Sequence, residues 1–271
     1  MPNPIADLTL LTLPSDLRKA AATLGADEAR YLVDLYYQAQ DFRIASAGQV
    51  RSLSASEEPH GTISFIQDQF RLIEKQIHGA LDVYSNSQPI GRWSREHTGV
   101  GPVIAAGLMA HIDIEKAPTV GHIWRFAGLD DPANYQWGKG QKRPWNAKLK
   151  TLCWKLGDSF VKFSGHQKCF YGHIYVARKQ FEVERDESGG NADAAKRKLE
   201  TTNIKDAETR RIYEAGHLPA GRLDLRARRY AVKLFLSAWH EQAYREAYGT
   251  EPPLPYPIAH LGHAHKINSP V

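Results

Sequence analysis

Residues 98–108 read Thr98-Gly99-Val100-Gly101-Pro102-Val103-Ile104-Ala105-Ala106-Gly107-Leu108: a turn punctuated by glycines that runs straight into an apolar helix. Gly99 and Gly101 supply positive φ and close backbone approach, and Pro102 suits a first helical position. The free amides at such a helix start suit a phosphate, the geometry used by helix-hairpin-helix modules, though a tight structural turn uses the same glycines. Long helices precede this turn. Tyr31, Leu32, Leu35, Tyr36, Ala39, Phe42 and Ala45 recur at helical spacing, as do Ile63, Ile66, Phe70, Ile73, Ile77 and Leu81 after a polar break at 54–61. The expectation is a long antiparallel helical hairpin, coiled-coil-like, packed on the chain or on a second copy.

After the turn, helices are expected from Lys168 to about Glu184 and from Leu223 to Tyr248, with a polar, helix-prone, solvated stretch over 192–216. The prolines of Pro252-Pro253-Leu254-Pro255-Tyr256-Pro257 predict an extended tail. No alternating strand pattern occurs, so the fold class is all-α. The domain reading is an N-terminal arm (1–24), a helical hairpin (25–97), a nucleic-acid-binding core (98–185), C-terminal helices (186–248) and an extended tail (249–271).

The chain has 271 residues, 42% hydrophobic and 24% charged, enough for a substantial core and unlike a disordered or low-complexity chain. No apolar run approaches the ~20 residues a bilayer demands. The first residues carry no basic-then-apolar leader. Cys153 and Cys169 make no disulfide framework, so a reducing, cytoplasmic setting with no membrane partner is expected.

The formal charge of +5 is concentrated. Residues 138–180 hold Lys139, Lys142, Arg143, Lys148, Lys150, Lys155, Lys162, Lys168, Arg178 and Lys179 against the single Asp158, a net +9. Trp137, Trp145, Trp154, Phe160, Phe163, Phe170 and Tyr171 are interleaved with them. Cations beside aromatics suit phosphates and bases; an amphipathic helix with a basic solvated face and a core of aromatics is the other reading. A second cluster, Arg222, Arg226, Arg228, Arg229 and Lys233, opens the last helix. One local carboxylate, Asp224, can pair with Arg228 but not with four guanidinium groups, which favours phosphate contact. The nucleic-acid-binding candidates are therefore Gly99, Gly101, Lys139, Lys142, Arg143, Trp145, Lys148, Lys150, Lys155, Arg222, Arg226, Arg228, Arg229, Lys233 and, in the tail, His263, His265 and Lys266.

The pattern Gly-Val-Gly-Pro (99–102), Ala105-Ala106, then Phe126-Ala127-Gly128-Leu129 resembles the C-terminal domain of bridge-RNA-guided insertion-sequence transposases. It is also similar to the Nop domain of box C/D ribonucleoproteins, where a helical hairpin precedes the same glycine-rich core. A chain joining both resembles the Tas family of tandem-interspaced-guide-RNA systems, over roughly residues 25–165. The resemblance implies a Nop-like helical domain, binding of a short guide RNA as a homodimer, and recognition of target DNA through pairing to the guide. A separate nuclease or effector is an implied partner. Gly99 and Gly101 match the glycine turn, and the segment from Lys139 matches the region that meets nucleic acid.

Catalysis is not expected. The transposases open with a RuvC-like domain; here Ile5-Ala6-Asp7-Leu8 leads directly into helices, and Asp7 reads as a surface carboxylate. The transposases place a nucleophilic serine after the Ala-Gly-Leu core, but no serine lies between Leu129 and Trp154. His260, His263 and His265 are metal ligands by type without a further ligand signalled by spacing, and the tail lacks the ββα pattern of a His-Asn-His nuclease. No catalytic residue, metal or cofactor is expected. A helix-hairpin-helix DNA-binding protein acting without RNA, and a divergent transposase, are the alternatives.

Overall fold

The computed structural model describes residues 12–54, 61–130, 135, 137, 138, 140–260 and 267–271. Every regular element among them is helical: α1 (Ser15–Ala20), α2 (Ala26–Ser54), α3 (Gly61–Ser87), α4 (Pro89–Glu96), α5 (Pro102–His111), α6 (Val120–Phe126), α7 (Ala147–Lys162), α8 (Phe170–Glu187), α9 (Ala192–Thr201), α10 (Ala207–Glu214), α11 (Ala220–Tyr248) and α12 (Tyr256–His260), with short 3-10 turns at Ala21–Thr23 and Ile114–Lys116. No strand occurs among the described residues, and none of their helices is long and apolar enough to cross a membrane.

The chain divides into two compact units, one of residues 1–95 and 101–113, the other of 96–100 and 114–271. The division cuts the glycine turn, so α5 belongs with α2 and α3 rather than with the rest of the 98–185 segment.

In the first unit, Ala29, Val33 and Ala39 of α2, Ile77, Leu81 and Tyr84 of α3, and Val103, Ala106 and Ala110 of α5 share one core. Their spacings of three and four put each set on one helical face. The small residues of α5 let it approach the two long helices closely. Arg30 seals the packing by donating to the Ala110 carbonyl and to Asp27. Further along, Arg43 pairs with Glu74 and Phe42 stacks on Phe70 at 5.4 Å. Burial pushes the Glu74 carboxyl up, but hydrogen bonds from Arg43 and Gln40 and the Arg43 charge outweigh it, so its pKa lies below the ordinary value. No described residue of α2 beyond Ala39, and none of α3 before Glu74, is buried. Tyr31 and Phe42, expected in the apolar stripe, are exposed.

In the second unit α11 is the central element. Leu223, Ala227, Ala231, Phe235, Trp239 and Ala243 are buried at strict four-residue intervals, and α6, α7 and α8 pack along it. Phe160 of α7, Tyr171 of α8 and Phe235 of α11 form an aromatic cluster with centroids 5.2–5.8 Å apart, and the buried His97 lies against it. α11 ends at Gly249, a left-handed C-cap (φ 66). A smaller core of Ala195, Tyr213, Leu218 and Leu223 anchors α9 and α10 on one side, while most residues of the 192–216 stretch are exposed, as its polar sequence predicts.

One expectation is corrected in the tail. Residues 256–260 form a helical turn because Pro257 falls in its first turn, where no amide is required, and Ile258 N–H bonds the Pro255 carbonyl at 2.9 Å. The proline-rich run before it is irregular.

Candidate nucleic-acid interface

The glycine turn carries less chemistry than its sequence suggests. Gly99 has φ +100, and a Cβ there would meet Phe160 Cδ1 at 3.2 Å. Its carbonyl accepts from the Ser159 hydroxyl at 2.6 Å, and the Thr98 carbonyl accepts from the Cys169 thiol at 3.3 Å. These contacts lie within the second unit and dock the turn against the end of α7. Gly101 has φ −86 with open space where a Cβ would stand, so the positive φ and close approach expected of it are absent; it is the backbone N-cap of α5.

The basic segment folds into a site built on α6, α7, α11 and the connection before α7. Asn146 starts α7: its side chain accepts from the amides of Lys148 and Leu149, both at 3.0 Å, and its own amide bonds the Phe126 carbonyl at 2.8 Å. Trp145 is thereby fixed beside Gly128. That glycine has φ +66, and a Cβ there would stand 2.9 Å from Trp145 Cγ and 3.0 Å from Lys150 Cδ. Tyr135 and Trp137 meet Trp145 edge-on at 5.1 and 5.4 Å. Lys150 caps the Trp145 ring with its ammonium 4.3 Å from the centroid. Lys233 caps Trp124 at 4.0 Å and lies 3.9 Å from Asp130, while the Trp124 indole N–H donates to the Lys233 carbonyl at 3.2 Å.

The electrostatics show how closely like charges are gathered. Lys150 has its pKa lowered by burial first, then by the charges of Arg229 and Arg143. Lys233 is lowered by burial and by Arg229, with Asp130 opposing. Two expected residues, Arg143 and Arg229, are thus each within electrostatic reach of a third, Lys150, and Arg229 also reaches Lys233. Lys142 and Lys148 are exposed, and Lys155 lies 5.9 Å from the centroid of the Trp154 ring.

Arg226 and Arg228 have different company. Glu182, 2% exposed, accepts from Arg178 at 2.5 and 2.9 Å and from Arg226 at 3.3 Å. Arg226 also donates to Asn191 at 2.7 Å, and Asn191 donates to the buried Asp186. Arg228 pairs with Asp224 at 2.6 Å and Asp158 at 3.3 Å. The argument that one carboxylate cannot serve this cluster therefore does not hold: α7 and α8 supply the others. Arg222 and Arg229 are exposed on the same helix. Lys139, His263, His265 and Lys266 lie outside the described residues, as does Asp7.

Sequence reasoning passed over Trp124 and Tyr135 as parts of this site; it counted Trp137 among the aromatics of the basic segment and took Gly128 only as part of the Phe126–Leu129 pattern. Asn146 directly before a lysine-rich helix was a readable cap signal; the convergence of α6 and α11 on it was not local. Burial pushes the Cys153 thiol up to about 12, away from reactivity. Among the described residues no three metal-ligating side chains converge.

The fold and the site together define an all-helical protein that presents clustered cations and exposed indoles on α7 and the connection leading into it. Compared with known protein families, with characterised proteins and with solved structures, the chain gives no match.

Proposed function

We propose that the chain is a nucleic-acid-binding protein whose ligand is a short structured RNA, and that this RNA guides it to DNA by base pairing. The observation that carries the reading is the placing of Lys150 and Lys233 over Trp145 and Trp124, with Arg229 close enough to act on both lysines and Arg143 on Lys150, a concentration of positive charge beside aromatic rings that suits an anion. Eight further cations on 138–180 extend the same field. The guide and DNA roles rest on the resemblance of residues 99–129 to the bridge-RNA transposase and Nop cores. In this reading α2 and α3 form the hairpin, the segment from Gly99 is a Nop-like core, and the chain acts without a nuclease domain of its own. Sequence recognition then belongs to the RNA, and the protein recognises shape and phosphate.

The chain acts as a homodimer in this proposal. Support comes from the outer parts of α2 and α3, where Phe42, Ile44, Ile66 and Ile73 are exposed and no described residue is buried.

Purification from the native locus followed by sequencing of the bound nucleic acid tests the reading. A discrete RNA of uniform length is expected. Heterogeneous DNA, or no nucleic acid, overturns it in favour of a DNA-binding protein that works without RNA.

A further inference from the structure

The six tryptophans fall into three pairs. Trp93 and Trp239 are core residues. Trp124 and Trp145 are held within the fold: each lies under a lysine ammonium, and Trp145 is backed by Gly128 and edged by two further rings. Trp137 and Trp154 remain, 45% and 52% exposed. An exposed indole leaves a large apolar face in water, and two of them stand in the most cationic part of the chain.

Their placement is not loose. The Trp137 indole N–H donates to the Gln141 carbonyl at 2.9 Å and its ring meets Trp145 at 5.4 Å, which fixes the ring's plane. Trp154 follows Lys150 by four residues on α7, one turn or about 6 Å along the same helical face. The order along the surface is Trp137, Trp145, Lys150, Trp154: an exposed ring, a ring capped by a cation, that cation, and a second exposed ring. Lys155 adjoins the second ring on α7, its ammonium 5.9 Å from the centroid, and the exposed Lys148 stands about 9 Å back along the helix axis.

We propose that Trp137 and Trp154 are stacking platforms for unpaired nucleotides, so that this surface takes a single-stranded segment of its nucleic acid rather than a duplex. This rests on the nucleic-acid reading above and adds which form of the ligand the site accepts. A duplex hides its base faces in the stack and offers only phosphates, which would use the lysines and leave both indoles without a partner. An unpaired strand offers a π-face to each indole while its phosphates meet the lysines between and beside them. Stacking of this kind is tolerant of sequence because every base has a π-face.

The test uses the full-length protein with four ligands of equal length: oligo(U), oligo(dT), and fully paired RNA and DNA duplexes. Trp137→Ala and Trp154→Ala, each at an exposed side chain, are compared with Trp154→Phe and with the double variant Lys148→Glu/Lys155→Glu, with thermal melting to establish folding. Oligo(U) is expected to quench tryptophan fluorescence. Each Trp→Ala change should weaken oligo(U) about tenfold and leave duplex affinity and the salt slope unchanged, and Trp154→Phe should keep most of the affinity that Trp154→Ala loses. The Lys→Glu pair should weaken all ligands and flatten the salt dependence. A parallel loss with oligo(dT) supports the proposal and adds that the 2′-hydroxyl is not read there. Unchanged oligo(U) affinity in both Trp→Ala variants, or equal losses for duplex and single strand, overturns the proposal while leaving nucleic-acid binding intact. Failure of the unaltered protein to bind any of the four overturns both.

Discussion

Gly99 and Gly101 look equivalent in sequence and are not in space. Gly99 holds φ +100 against Phe160, so Gly99→Ala adds both backbone strain and a contact that Phe160 must yield to. The expected loss is roughly 1–3 kcal/mol of unfolding free energy in urea titration. Gly101→Ala meets open space at an ordinary φ and should stay within about 0.5 kcal/mol of the unaltered protein. His240 gives a second test at this scale. Its ring is buried and its Nε2–H donates to the Ala117 carbonyl at 2.7 Å. Burial lowers its pKa below the ordinary 6.5, a direction the carbonyl contact and Glu241 oppose without reversing. The unfolded chain therefore binds the proton more readily, so this contribution to stability is present above pH 6.5 and is lost as pH falls below it. Thermal melting from pH 7.5 to 5 should show that loss, and His240→Gln should flatten that part of the profile.

Among the elements, α8 and α11 are joined by a buried polar strut: Glu182 held by Arg178 and Arg226, with Asn191 and Asp186 continuing the network to the Leu218 amide and His217. Arg178 is further clasped between the Phe181 and Tyr230 rings at 4.7 and 4.6 Å. Arg226→Ala leaves Glu182 paired with Arg178 but takes the donor from the buried Asn191 side-chain carbonyl, so it should cost about 1–3 kcal/mol by chemical denaturation. Arg222→Ala, at an exposed position of the same helix, should change stability by less than about 0.5 kcal/mol. A stable, correctly folded Arg226→Ala protein with weakened RNA binding would instead place Arg226 at the nucleic acid.

At the scale of the whole molecule, the exposed apolar residues of α2 and α3 bear on assembly. Phe42→Asp combined with Ile66→Asp should convert a two-chain mass into a one-chain mass in light scattering while helical content is kept, since neither side chain belongs to the buried core of its unit. A two-chain mass that survives the double change would remove these helices from the interface.

The sequence by itself determined the helical class and the extents of α2, α3, α8 and α11 to within a few residues, because hydrophobic periodicity is a property of the segment that carries it; α7 went unread. It also determined that the positive charge lies on residues 138–180, which is a matter of counting. Where local rules competed the outcome was less legible: the prolines around 252–257 suggested only extension, yet one of them fits the first turn of α12. Tertiary structure alone decided which cations are struts and which line the surface. Arg226 meets Glu182 across 44 residues of chain and Arg228 meets Asp158 across 70, and no count of neighbouring charges reveals such partners. The same holds for the indoles: Trp145 and Trp154 stand nine residues apart in one basic segment, but only the packing of Gly128, Tyr135 and Lys150 on the first leaves the second facing water. An ion pair or a ring contact is a relation between two places in the chain, and only the fold brings them together.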